Sequence, residues 1–442
     1  MACKCKYRER RRPSVFVRLS LLNIVSNLTV PLASLVDIAM LGRLAAVRSM
    51  AGPALAMTLF DSLYWSLGFL RMGTAGLTAQ AIGRDAVSDA DHLLRQSLRW
   101  GALLGLGLLC GAPLCGAPLL SFFGATGALT DSAHAYFVGR MWGAPAVLLN
   151  LALLGSFLGR GLSTWALGLT ATANLGNVAL NYLLLVRLGW GPFGAGLASA
   201  LSQWLALGLG LAGSWQWWRP GGGSPAASPW SPAALLRYHR DLFVRMLCLN
   251  GVLISFMRIS ATFGAVMLAS HTLLLRALTT VAYLVDGIAY ALETLAGQHH
   301  GAGRYDLLRP LLRRAFAFAL GLTALIACVV AVWPAFCFGL LTHHRAVIAA
   351  AVQGRLWLVL TMFFGAMAWT LDGYYLGLTE GRRLRNAMAG AVLLYAPLAW
   401  MAWQRDSPGL LWLALLLFTA GRVLCLFSWG VWCRLPLRWA QS

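Results

Sequence analysis

Apolar residues run along this chain in long stretches, broken only by short punctuation of Gly, Pro and Arg. The spacing predicts helices near 15–41, 48–82, 93–122, 131–159, 163–187 and 193–218, and a second set near 242–267, 272–298, 307–338, 345–378, 384–403 and 408–433. A bilayer core about 30 Å thick takes roughly 20 apolar residues per helical crossing, so the pattern reads as twelve crossings. Between the sets lies Arg219–Asp241 with the run PGGGSPAASPWSP, a composition that behaves as a flexible surface linker. The expected organisation is a basic N-terminal segment at 1–14, a first lobe at 15–218, a linker at 219–241 and a second lobe at 242–438.

The two sets repeat one another. Gly73, Ala75, Gly83, Leu93, Leu94, Arg95, Leu98 and Arg99 recur as Gly287, Ala289, Gly297, Leu307, Leu308, Arg309, Leu312 and Arg313, at one offset and without a gap. Leu153, Gly155, Leu158 and Gly159 recur as Leu371, Gly373, Leu376 and Gly377. Six crossings per half is an even number, so both halves start on the same side and the repeats are parallel. Two six-helix lobes related by a pseudo-twofold axis along the membrane normal, with a central cleft, follow from such a duplication.

Composition agrees with a life in lipid: 59% of the 442 residues are hydrophobic and 11% charged, where soluble domains carry about a quarter. The net charge of +21 would suggest nucleic acid in a soluble protein. Here the basic residues fall in alternate loops, with Arg84, Arg95, Arg99, Arg304, Arg309 and Arg313 among the many on one side and Arg43, Arg48, Arg187, Arg345 and Arg405 on the other. That asymmetry places both termini in the cytoplasm and makes the charge a topology signal, with the bilayer and not nucleic acid as partner. The start MACKCKYRERRRP reads as the flank of an uncleaved first helix, because the apolar run after it carries Asn23, Asn27 and Asp37 and lacks a small-residue cleavage site. Cys3 and Cys5 have no further ligands to complete a metal site. The pairs His299, His300 and His343, His344 fall at predicted helix ends as solvated residues, so no metal and no cofactor are expected. No phosphate-binding loop, nucleophile elbow, HExxH or haem motif occurs.

An ionisable residue costs about 2.5–3.5 kcal/mol at the centre of a membrane helix and asks for a reason. Asp37 lies deep in the first helix, six residues after Pro31, which can bend it. A carboxyl in low dielectric titrates closer to neutrality, so Asp37 can carry a proton across; the alternative is a structural carboxyl paired to a neighbouring amide or Arg. Asn174, Asn177 and Asn181 share one helical face, as a wet cavity lining or as interhelical glue. Asp286 and Glu293 also share a face, as a coupled pair or as partners of Arg258 or Arg276. Asp372 has a weaker claim, Asp61 is a further acid within an apolar stretch, and Arg71, Arg140, Arg355 and Arg422 are further candidate partners for buried acids.

The segments PLASLVDIAMLGRL, GFLRMGTAGLTAQAIG, GSFLGRGLSTWALGLTATANLGNVALNYLLL and DGIAYALETLAGQHHGAGR resemble the multidrug and toxic compound extrusion (MATE) family, in its bacterial DNA-damage-inducible (DinF-type) branch. The resemblance covers about 15–438. It implies a MATE/MOP-like two-lobed transporter of the bacterial inner membrane, acting as a monomer and exporting organic cations or amphipathic compounds against H+ or Na+ by alternating access. By position it makes Asp37 the first-helix carboxylate for the coupling proton, Asn177 and Asn181 polar sites on the fifth helix, and Ser199 a hydroxyl on the sixth. Some relatives have an acid where this chain has Asn181, so Asp37 would act alone in the first lobe. Asn174, Asp286, Glu293, Asp372 and Arg258 are then candidates for the substrate cavity or for coupling in the second lobe. The competing readings are a lipid-linked saccharide flippase with a cationic cavity built from Arg71, Arg140, Arg258 and Arg276, and a membrane enzyme or scaffold without a recognisable catalytic set.

Overall fold

The computed structural model describes residues 13–44, 47–122, 128–217 and 232–428, with the side chains of 13, 33–44, 47–51, 115, 117, 122, 128, 216 and 232 outside that description. The basic segment before residue 13, most of the expected linker, the chain after 428 and the side chain of Asp37 therefore lie outside the described residues. The rest is helical: α1 (Pro13–Leu44), α2 (Val47–Ser66), α3 (Phe69–Gly83), α4 (Val87–Phe122), α5 (Ala128–Met141), α6 (Ala144–Gly159), α7 (Ser163–Asn181) and α8 (Gly191–Ser214). The second series is α9 (Pro232–Thr262), α10 (Ala265–Gly301), α11 (Leu308–Val332), α12 (Pro334–Gly339), α13 (Arg345–Gln353), α14 (Arg355–Gly377), α15 (Gly381–Gln404) and α16 (Pro408–Ser428). Backbone polar groups inside a bilayer must be satisfied within the segment, and the helix does this for an apolar run.

Four expected helices are interrupted. The stretch read as 48–82 turns at Leu67–Gly68. The stretch read as 131–159 breaks at Trp142–Gly143, where α5 and α6 meet at a 51° bend. A Cβ added at Gly143 would lie 2.8 Å from Ala200 Cα, so the break is also a close crossing with α8. In the second series the breaks fall at Trp333, before Pro334, and at Gly354. Pro can start a helix but not continue one, because it has no N–H to donate. A π-helical turn at Tyr182–Arg187 extends α7 directly after Asn181. Among the described residues ten helices are long and apolar enough to cross a membrane, or eleven if the bent α5–α6 pair is one span.

The chain divides into two compact units, one within Val25–Pro232 and one within Met1–Ile24 with Ala233–Ser442. The start of α1 thus packs with the second series: Phe16 meets Phe318 edge to face at 6.0 Å, and a Cβ on Gly287 would lie 2.5 Å from Ile24 N. Each unit uses the same device at its centre. On α6, a Cβ at Gly155 would sit 2.5 Å from Arg71 O and one at Gly159 2.5 Å from Ala75 O of α3. On α14, a Cβ at Gly373 would sit 2.5 Å from Ala289 O and one at Gly377 2.5 Å from Glu293 O of α10. Small residues four apart let two backbones touch, which is how helices associate where lipid removes the hydrophobic drive. The glycines that recur between the halves of the sequence are therefore helix crossing points inside each unit.

Candidate functional site

In the unit within Val25–Pro232, the polar face of α7 meets α1 and α8. Asn174 Nδ2 donates to Thr29 Oγ1 of α1 at 2.6 Å, and Thr170 bonds Ser26 of the same helix at 2.5 Å. One turn on, Asn177 Nδ2 donates to Ser199 Oγ of α8 at 2.9 Å, and Asn181 Nδ2 donates to Asn177 Oδ1 at 3.2 Å. Asn177 and Asn181 are buried. Ser199 also donates to Ala195 O and lies within hydrogen-bond reach of the Tyr136 hydroxyl on α5. Tyr136 accepts from Arg140 Nη1 at 2.7 Å, and Arg140 Nη2 stands 3.5 Å from Asp61 Oδ1 on α2. A continuous polar chain thus runs Asn181–Asn177–Ser199–Tyr136–Arg140–Asp61 through otherwise apolar helices. Arg140 sits in the last turn of α5, where the helix dipole favours a cation, and its guanidinium lies 5.2 Å from the Phe60 ring centre.

In the other unit, three helices converge on Asp372. Arg245 of α9 donates to Asp372 Oδ2 at 2.6 Å, and Arg422 of α16 donates to the same oxygen. All three residues are buried. Asp286 adds to the field at Arg422, and Glu293 to that at Tyr238. Arg258 and Arg276, the partners considered for them from sequence, are exposed. Asp241, buried, is held by Arg385 at 2.7 Å and Arg240 at 3.2 Å. His299 is buried in the last turn of α10, not solvated as its position near a helix end suggests, while His343 and His344 are exposed. No group of three or more His, Cys, Asp or Glu among the described residues could hold a metal ion.

Two shifted groups stand in connections outside the spans. Arg160, after α6, bonds Asp91 at 2.5 Å and stacks on Trp217 at 3.9 Å; burial pulls its proton affinity down while Asp91 opposes. Burial pushes the Glu380 carboxyl up, and Arg383 at 3.3 Å opposes this.

Sequence reasoning missed Arg245 and Tyr136. Arg245 lies at the edge of its predicted helix among the basic residues of a connection, and only its spacing of four from Asp241 marks it. Tyr136 is one aromatic among many, and its spacing of four from Arg140 was the available signal.

The family model described as MatE matches residues 23–183 and again 242–401. The chain belongs to the multidrug and toxic compound extrusion family. That one model fits twice agrees with the internal repeat. DNA damage-inducible protein F of Escherichia coli is 32% identical over 94% of this chain and 91% of its own length. A probable multidrug resistance protein NorM of Photorhabdus laumondii is 24% identical over 89% of this chain and 90% of its own. A solved structure, an outward-facing conformation of a multidrug resistance MATE family transporter of the MOP superfamily, superposes with a TM-score of 0.83 at 19% identity, over 94% of each chain. The fold is the 12-helix fold of MATE and MOP transporters. MATE proteins are multidrug transporters and not enzymes, and this one is a multi-pass membrane protein of the DinF type.

Proposed function

We propose that this MATE protein is a secondary antiporter of the bacterial inner membrane, with both termini cytoplasmic, that exports cationic or amphipathic compounds in exchange for H+ or Na+. One observation carries the reading: the buried Asn177 and Asn181 form a hydrogen-bonded cluster with the half-buried Ser199 inside apolar helices. Polar side chains at membrane depth are retained for a transported ion or substrate more readily than for packing. Asp37 is the coupling carboxyl in this proposal. Its protonation removes a charge, and α1, which contains Pro31, bends to narrow the path for cargo. Each charge moved is driven by about 2.3 kcal/mol per 100 mV. In the second series Asp372 acts as a counter-ion to Arg245 and Arg422, and Asp286 and Glu293 are the acids left for ion exchange. The chain works as a monomer with two lobes, 15–218 and 242–438.

The experiment is drug efflux from proteoliposomes carrying wild type or Asp37→Asn, with pH and Na+ gradients imposed separately. Gradient-driven efflux is expected to be lost in the variant; efflux at the wild-type rate removes Asp37 from the mechanism.

A further inference from the structure

We propose that Asp61 is a binding carboxylate for a lipophilic organic cation, and that the Arg140 guanidinium is its built-in competitor. This rests on the reading of the chain as an exporter of cationic compounds.

The helices α2 and α5 run parallel: a Cβ on Gly52 would lie 2.8 Å from Ala133 N, and further along Phe60 meets Phe137 at 5.3 Å and Asp61 meets Arg140. By the helical rise, Asp61 and Arg140 each lie about 20 Å from the start of their helices, so a crossing that begins at those starts holds both inside a hydrocarbon core about 30 Å thick. Ala56, Leu59 and Phe60 bury one side of α2 against its neighbours. The opposite side, Ala54, Thr58, Asp61 and Trp65, is exposed at the spacing of a single helical face. The Asp61 side chain is 76% exposed. A carboxylate left uncovered at this depth is costly in lipid and belongs on a water-filled path.

Its surroundings select a ligand chemistry. Asp61 and Trp65, one turn apart, offer a negative charge beside an aromatic face, which together bind an organic cation that carries its own apolar surface. The groups facing Asp61 are Arg140 and Tyr136, with Tyr64 as a further neighbour of the Arg140 guanidinium. Arg140 is the cation already present, but its 3.5 Å approach is longer than the 2.7–2.9 Å of a strong charge-assisted bond. Its other nitrogen holds Tyr136 at 2.7 Å and stays satisfied when Asp61 is taken by cargo. Cargo at Asp61 thereby shifts the guanidinium that orients Tyr136, Ser199 and Asn177. The site reports its occupancy to the polar cluster along hydrogen bonds.

The test is equilibrium binding of tetraphenylphosphonium to the full-length protein in nanodiscs at pH 8, without any gradient, with tetraphenylborate as an anion of the same shape. Asp61→Asn is expected to weaken phosphonium binding about ten-fold, the factor for one lost charge contact of about 1.4 kcal/mol, and to leave borate binding unchanged. Arg140→Gln is expected to tighten phosphonium binding several-fold, because the competitor is gone. Asp61→Glu keeps the charge and is expected to keep the affinity. Phosphonium binding at wild-type strength in Asp61→Asn, equal loss of both ions, or weaker phosphonium binding in Arg140→Gln overturns the assignment of Asp61. If the asparagine variant does not fold, weaker phosphonium binding in Arg140→Gln alone overturns it. No phosphonium binding by wild type overturns the cation-exporter reading itself, and Asp61 with it.

Discussion

Arg245 and Asp372 stand 127 residues apart along the chain and 2.6 Å apart in space. Arg422 shares the same carboxylate oxygen from a third helix, so one acid ties α9, α14 and α16 together. Two guanidiniums share that carboxylate in a buried place, which makes it the costliest member to remove. Breaking a buried ion pair by deleting one partner costs about 3–5 kcal/mol, because the other charge is left behind. Asp372→Asn is expected to lower the thermal stability of the purified protein sharply, while Asp372→Asn combined with Arg422→Met recovers part of the loss. Melting followed by fluorescence-detected gel filtration reads both, and an unchanged midpoint in the single variant contradicts this account.

The close crossings predict a sharp contrast between glycines. Gly159→Val and Gly377→Val place a methyl-bearing carbon where backbone oxygen already lies 2.5 Å away, and overpacking of this kind costs typically 1–3 kcal/mol or more. Gly107 and Gly321 have open space around an added Cβ. Substituting Val at those positions is expected to leave expression and melting near wild type, apart from the small cost of a β-branched residue in a helix.

Ser199 is the junction of the polar chain, and Ser199→Ala leaves Asn177 Nδ2 and the Tyr136 hydroxyl without that partner. A buried donor so orphaned costs about 1–3 kcal/mol. Transport driven by an imposed gradient is expected to fall about ten-fold in proteoliposomes, with Ser199→Thr close to wild type. Equal rates for the alanine and threonine variants would remove the hydroxyl from the coupling path.

Glu380 supplies a pH dependence of stability. Its carboxyl is raised by burial, so the folded state binds the proton more tightly than the unfolded chain does. The associated stability is fully present below the unfolded carboxyl range and is lost as pH rises through the raised folded value. Relative to Glu380→Gln, wild type is therefore expected to lose melting temperature as pH rises from the acid side. A flat difference between the two across that range would show that the carboxyl does not titrate in this way.

The amide stripe Asn174, Asn177 and Asn181 was legible because helical periodicity alone puts those residues on one face. Which helix each one meets was not legible. Asn174 finds Thr29 and Asn177 finds Ser199 because α7 packs between α1 and α8, and no local pattern encodes a neighbour brought in from 22 or 145 residues away. Asp286 and Glu293 show the same limit. Their common face left a coupled pair and separate ion pairs both open, and Asp286 lies within electrostatic reach of Arg422 while Glu293 lies within reach of Tyr238, neighbours that the face alone does not name. His299 misled for a simpler reason, since α10 runs on to Gly301 and carries the residue into protein.

By itself the sequence determined that this chain crosses a bilayer many times as helices, that its halves are copies, and which family it resembles. Each of these is written in local composition and periodicity, because lipid forces every apolar run to satisfy its own backbone. Only the tertiary structure decided where helices break, which arginines meet Asp372, and that Asp61 lies uncovered at the end of a polar chain from Asn181. Those outcomes depend on which faces pack together, and in a membrane packing is selected by close-fitting small residues and scattered polar contacts, whose partners are set by the whole fold.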